Sequence, residues 1–161
     1  MYDLNGLQYE TIKSRKKGRK TYINIEAAFD IESTSMYIDE DEKTAFMYAW
    51  VFGIKDENFI YRGRTWDDFL QLCDKLVEHF QLSKDRNLVV YIHNLGYEFQ
   101  FMRKYFKWEH VFSVDSRKPI KALTKSGIEF RDSLILSGMN LETLAKNLVH
   151  HDIEKKSGDL D

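Results

Sequence analysis

The chain has 161 residues, of which 43% are hydrophobic and 31% are charged. This composition supports one packed domain and excludes a disordered or fibrous chain. The single cysteine, Cys73, excludes an internal disulfide and a cysteine-rich zinc site, and it favours a reducing, cytoplasmic compartment. No apolar run approaches the ~18 residues of a membrane span, and no signal peptide opens the chain, so we expect no membrane partner.

The net charge of −2 does not by itself indicate a nucleic-acid binder, but the charge is unevenly distributed. Residues 1–20 carry six basic side chains against two acidic ones. A basic arm of this kind can contact phosphates, and a solvated, flexible tail is an equal alternative. We therefore divide the chain into a basic arm (1–21), a folded domain (22–149) and a polar tail (150–161).

The predicted elements follow in chain order. Strands rich in β-forming residues are predicted at 22–33, 44–54 and 59–61. A helix follows with Thr65 as its N-cap and an apolar stripe from Trp66 to Phe80. A buried strand is predicted at 87–93, and the Gly96 turn leads into a second helix at 97–106.

The last part of the chain is predicted to form a strand meander and a third helix. The strands lie at 111–114, 119–124 and 127–134, and Asn140 begins the helix. This order of elements indicates an α/β fold in which helices cover a mixed sheet.

Asp30 and Glu32 are the first candidate functional residues. Side chains alternate between the two faces of a strand, so these two acids point the same way. Adjacent carboxylates repel each other unless a positive charge lies between them. Oxygen ligands suit Mg²⁺ or Mn²⁺, and a solvated acidic edge is an equal alternative on spacing alone.

Glu98 is the second candidate, in the first turn of the second predicted helix. It falls on the same face as Phe101, where a carboxylate is costly without a partner. The helix dipole explains its place along the chain but not its face. Asn94, Tyr97 and Phe101 surround it in the sequence, and such rings either stack unpaired bases or belong to the core.

Two segments carry a resemblance to a known family. The sequence FDIEST, followed about sixty residues later by YIHNLGYEFQF, resembles the first two exonuclease motifs of family B DNA polymerases. The similarity is to the protein-primed subgroup of small phages and linear plasmids, and IEFRDSL resembles that subgroup's downstream strand. The resemblance spans residues 22–148.

The resemblance implies an RNase H-like fold and a magnesium- or manganese-dependent 3′→5′ exonuclease that proofreads during DNA replication. In that family, the positions of Asp30, Glu32 and Glu98 are catalytic metal ligands in a two-metal site. The positions of Ser33, Asn94, Tyr97 and Phe101 contact the single-stranded primer 3′ end. The implied partners are the parent polymerase domain and a terminal protein. His93 matches the family as well, without an assigned role.

The sequence departs from the family's pattern at two points. The second-motif acid is usually Asp, and the longer Glu98 moves the carboxylate by over an ångström. The family's third motif, a Tyr shortly before an Asp on a later helix, is not found before Asp161. Without that acid the metal site should be weaker, so we expect the chain to be a fragment of a larger polymerase.

Two alternatives remain open from the sequence. The chain could be a catalytically weak or inactive RNase H-like module that binds single-stranded DNA or a partner without turnover. It could also be a nuclease that acts on RNA. Asp132 is expected to have a surface or supporting role beside the site, because it follows Arg131 on a predicted strand.

Overall fold

A computed structural model describes residues 2–14, 19–55, 59–115 and 118–134. The described residues form nine strands and two α-helices. The strands are β1 (Thr11–Lys13), β2 (Thr21–Ile23), β3 (Ala27–Tyr37), β4 (Lys43–Ile54), β5 (Ile60–Gly63), β6 (Arg86–Ile92), β7 (Trp108–Asp115), β8 (Lys118–Thr124) and β9 (Ile128–Asp132). The helices are α1 (Trp66–Phe80) and α2 (Leu95–Met102), and a 3-10 turn, Arg103–Tyr105, extends α2.

The strands form one mixed sheet in the order β5-β4-β3-β6-β9-β8-β7. β6 lies at its centre and pairs in parallel with both β3 and β9, whereas the outer pairs are antiparallel. The short strand β2 also pairs in parallel with β6, and β1 pairs with β2. Because parallel neighbours end at the same edge, the carboxyl ends of the central strands meet there.

Both helices pack on one face of this sheet through aromatic side chains. Phe69 of α1 stacks on Phe29 of β3 with ring centroids 4.1 Å apart. Phe106, directly after the 3-10 turn, contacts Phe69 at 6.2 Å and Phe130 of β9 at 5.8 Å. The core therefore lies between the inward side chains of the central strands and the apolar stripes of the helices.

The described part of the N-terminal arm packs against the domain. Leu4 is buried, and Tyr2, Leu7 and Tyr9 pack against the core. The backbone N–H of Asn24 donates to the carbonyl of Glu10 at 2.8 Å. This bond lies in the break between β2 and β3, so residues 2–14 contribute to the fold itself.

The predicted α/β layout with helices on a mixed sheet is confirmed, and the boundaries differ locally. The single strand predicted at 22–33 is two strands, β2 and β3, which pair with successive parts of β6. The helix predicted at 97–106 begins earlier, at Leu95, and tightens into the 3-10 turn after Met102. The helix predicted from Asn140 and the tail 150–161 lie outside the described residues.

Neither of the two α-helices in the described residues is long and apolar enough to cross a membrane. Cys73 is fully packed inside α1's buried face, and burial raises the pKa of its thiol well above the usual value. The thiol is therefore unreactive in the folded chain.

Gly63 allows the end of β5 to approach Trp50, and we predict that Gly63→Ala destabilises the fold. An added Cβ would lie 2.4 Å from the Trp50 indole ring, which is itself 1% exposed. Overpacking of this kind costs about 1–3 kcal/mol. The measurement is the free energy of unfolding in urea.

Gly53→Ala is the matched control, because a Cβ at Gly53 in the neighbouring strand meets nothing within 4 Å. We expect the stability of this control to stay at or slightly above that of the unmodified chain. Equal unfolding free energies for Gly63→Ala and Gly53→Ala would contradict the close contact between Gly63 and the Trp50 ring.

Candidate functional site

The candidate site begins where β3 no longer pairs with β6. β3 pairs with β6 only at Ala27 and Ala28, and β6 ends at Ile92. Within the described residues, this edge of β3 is then open from Phe29 onward. The chain enters α2 at the end of β6, and the first turn of that helix lies beside the open edge.

Glu98 fills this position and is 3% exposed. Its Oε1 accepts a hydrogen bond from the backbone N–H of Ile31 at 3.4 Å. Its Oε2 is buried, and no described group meets it at full hydrogen-bond geometry. A buried carboxyl oxygen without such a partner is costly, and packing alone does not explain it.

The pKa of Glu98 is raised from 4.5 to about 10. Burial is the largest cause, because it disfavours the charged form. The carboxyl of Asp30 adds to it through a loose side-chain hydrogen bond and through its charge, and the charge of Glu32 adds less. The Ile31 N–H opposes the shift by stabilising the anion.

The structure thus places Asp30 and Glu32, two acids that the sequence singles out, within electrostatic reach of the third, Glu98. Asp30 is exposed and Glu32 is half-buried, and both act on Glu98 from β3. The pairing of β3 with β4 shifts in register between Glu32 and Ser33, just after the acidic pair, and such irregularities are frequent next to functional sites. In the described part of the chain, no group of three or more His, Cys, Asp and Glu side chains is arranged so that it could hold a metal ion.

Asp132 fixes the start of α2. Its Oδ1 accepts the backbone N–H groups of Asn94 at 3.0 Å, Leu95 at 3.1 Å and Leu134 at 3.3 Å. Asp132 is 7% exposed, so a surface role is wrong and the supporting role is what the structure shows. The parallel strands β6 and β9 end together at Ile92 and Asp132, which brings Asp132 beside the start of α2, a proximity that the sequence alone does not show.

Asn94 makes the turn that the sequence assigned to Gly96. Asn94 has φ 75° and ψ 60°, in the left-handed region that Asn tolerates. Gly96 instead lies inside α2, where an added Cβ would come within 3.4 Å of Lys118 on β8. The glycine therefore allows helix and sheet to approach closely.

The predicted DNA-contacting residues lie on one side of the acids. Tyr97 is 45% exposed, and its hydroxyl shares a short hydrogen bond with the Ser33 hydroxyl. Its ring meets that of Phe101 edge to face, with centroids 5.3 Å apart. Asn94 is exposed at the start of the same helix. Phe101 is half-buried and also packs against the core.

On the other side of Asp30 lies a hollow of about 330 Å³ on the sheet face opposite the helices. Ala28, Val51, Tyr91 and His93 contribute to its lining. The Nδ1 of His93 is 3.1 Å from the Ser133 hydroxyl. His93 therefore joins the ends of β6 and β9 next to the acids.

No protein-family model, curated protein or solved structure matches this chain. The site is therefore interpreted from its own residues and geometry.

We predict that Glu98→Gln stabilises the fold increasingly as the pH rises. A folded-state pKa of about 10 against 4.5 means that the folded chain keeps a proton that the unfolded chain releases. This contribution is complete below pH 4.5 and is lost as the pH rises towards 10. The amide, which does not ionise, avoids this loss.

The measurement is the urea unfolding free energy in EDTA at pH 4.5 and pH 9. We expect Glu98→Gln to match the unmodified chain at pH 4.5 and to exceed it by about 1–3 kcal/mol at pH 9. Glu78→Gln, an exposed position on α1, should show no such growth. A constant difference across the pH range would contradict the buried, protonated Glu98.

Proposed function

We propose that this chain is a metal-dependent 3′→5′ exonuclease domain with an RNase H-like fold, of the type found in protein-primed viral DNA polymerases. Its substrate is an unpaired DNA 3′ end, from which it removes mismatched nucleotides. The parent polymerase domain and a terminal protein are its proposed partners during DNA replication in the cytoplasm of the host cell.

The observation that carries this proposal is the position of Glu98 beside Asp30. A helix that follows the central strand places a buried acid against an acidic pair on the neighbouring strand. A purely structural role accounts for the contact of Oε1 with the Ile31 N–H, but it leaves the buried Oε2 without a full partner, which is costly. The site therefore accepts a stability cost that a function must explain.

Carboxylate oxygens are the ligands that Mg²⁺ and Mn²⁺ prefer, and the buried Oε2 of Glu98 beside Asp30 fits such an ion. Asp30, Glu32 and Glu98 would hold it. The bound ions would supply an activated water and a counter-charge for the leaving 3′ oxygen.

Other groups of the chain position Glu98 and the DNA strand. The Ile31 N–H holds the Glu98 carboxyl in place, and Asp132 holds the helix that carries it. The Ser33 and Tyr97 hydroxyls are paired beside the acids, where they can donate to a phosphate. The exposed Tyr97 ring offers a stacking surface for a base, which only an unpaired end can reach.

The alternative is a module of the same fold that binds single-stranded DNA or a partner without cleaving it. It is favoured by the acids in the described residues, which do not form a ready cage of three ligands. This alternative predicts binding that does not change with chelator or with Asp30→Asn.

The test uses a 5′-labelled single-stranded DNA oligonucleotide incubated with Mn²⁺ or Mg²⁺. We expect a ladder that shortens from the 3′ end. Asp30→Asn and Glu98→Gln should each slow it by about 100-fold or more, the scale of losing one key electrostatic group. An RNA oligonucleotide of the same sequence tests the third alternative.

Asp74→Asn is the control, since Asp74 is an exposed acid on α1. Because Glu98→Gln is predicted to be more stable than the unmodified chain, its loss of activity cannot be attributed to unfolding. An intact oligonucleotide, bound equally with and without EDTA, would replace the exonuclease by the binding module. Internal cleavage would refute the 3′-end mechanism.

A further inference from the structure

A second cavity lies further along the helix that carries Glu98. Its volume is about 470 Å³, within the range of sites for small organic ligands. It lies between β4, the start of α1 and the end of α2. Its lining includes Phe46, Arg64, Trp66, Phe101, Lys104 and Tyr105.

This cavity continues from the surface beside the acids. Tyr97 and Phe101 are four residues apart on α2, so they lie on one side of the helix, and Tyr105 ends the 3-10 turn that follows. At about 1.5 Å rise per residue, Phe101 lies about 6 Å beyond Tyr97. The rings of Tyr97 and Phe101 touch, and Phe101 also lines the cavity. A strand whose terminal nucleotides occupy the Tyr97 surface therefore reaches the cavity with the nucleotide that comes next.

The aromatic part of the lining is suited to a nucleobase. Trp66 and Tyr105 stack with ring centroids 5.1 Å apart and planes 21° apart. Phe46 is 39% exposed at the end of the long β3–β4 hairpin. Every base has a π face, so a surface of this kind stacks bases without regard to sequence.

The polar part of the lining is suited to the rest of a nucleotide. Arg64 and Lys104 are both exposed at the cavity, and the Lys104 Nζ lies 5.2 Å from the Tyr105 ring centroid. Two cations beside aromatic rings match a phosphate beside a base. Asp67, Thr65 and Gln100 also line the cavity. These side chains offer the donors and acceptors that a base edge requires, and Asp67 disfavours a second phosphate.

We propose that this cavity binds one unpaired nucleotide of single-stranded DNA, on the 5′ side of the terminal nucleotides held beside Asp30 and Glu98. The proposal rests on the proposed function, since that function places the 3′ end at the acids. The cavity then makes affinity depend on length, because a short strand held at the acids does not reach it.

The test compares a ten-nucleotide strand with a dinucleotide, both of oligo-dT, in an Asp30→Asn background that prevents cleavage. Binding of the 5′-labelled decamer is measured by fluorescence anisotropy in Mg²⁺, and the dinucleotide is measured by competition. We expect Arg64→Ala with Lys104→Ala to weaken the decamer about 10-fold and the dinucleotide less than twofold. Lys75→Ala with Lys84→Ala, at exposed lysines away from the cavity, is the matched control and should change neither.

The salt dependence of decamer binding distinguishes a phosphate contact from a merely structural role of Arg64 and Lys104, which would leave this dependence unchanged. Each phosphate contact on a single strand contributes about 0.7 to the slope of log affinity against log salt. The Arg64 and Lys104 variant should therefore show a shallower slope for the decamer by about 0.7, the contribution of one phosphate. An unchanged slope with equal weakening of both ligands would overturn the cavity assignment.

Failure of the cavity and failure of the proposed function give different results. Tyr97→Ala should weaken both the decamer and the dinucleotide, because Tyr97 lies beside the acids. If Tyr97→Ala did not weaken binding of the dinucleotide, the result would count against the proposed function. The comparison of the decamer with the dinucleotide would then still test the cavity. An Asp30→Asn chain that does not bind the decamer would overturn the cavity, whereas the 3′-end ladder tests the exonuclease separately.

Discussion

The hydrogen bond from the Ile31 N–H to Glu98 is the contact on which the rest of the site depends. It exists because β6 ends at Ile92 while β3 continues, which leaves an open strand edge inside the fold. An unpaired N–H at that edge is costly when buried, and the Glu98 carboxyl meets it. The carboxyl is then held against Asp30, where its charge is disfavoured by burial and by its neighbours. A single contact thus links the topology of the sheet to the chemistry of the site.

The surrounding structure keeps Glu98 in this position through contacts at the start of α2. Asp132, at the end of β9, accepts the first backbone N–H groups of α2 and so fixes where the helix begins. On the helix itself, Gly96 allows a close approach to Lys118 of β8. The left-handed turn at Asn94 sets the direction between strand and helix. Three local features therefore determine the position of one acid.

The sequence predicted much of this arrangement because its signals are periodic and local. The stripe from Trp66 to Phe80 and the cap at Thr65 defined α1 to the residue, and the alternation in β3 placed Asp30 and Glu32 together. It also predicted a buried position for Glu98 from the helical face alone. The partner of Glu98 was not predictable in this way, because Ile31 is 67 residues distant. The same holds for Asp132, which acts through contacts nearly forty residues away. The break between β2 and β3 was missed because both segments are rich in β-forming residues, and only the pairing with β6 separates them.

The proposed function requires Asp30 and Glu98 to form one site that holds a divalent cation. The most direct measurement is calorimetric titration of Mn²⁺ into the unmodified chain, Asp30→Asn and Glu98→Gln at pH 8, with Glu78→Gln as the control. We predict saturable binding to the unmodified chain and the control, and at least 10-fold weaker binding to either site variant, on the scale of losing a group that supports a metal. Equal Mn²⁺ affinity in all four proteins would contradict the claim and leave the buried Glu98 without the function proposed for it.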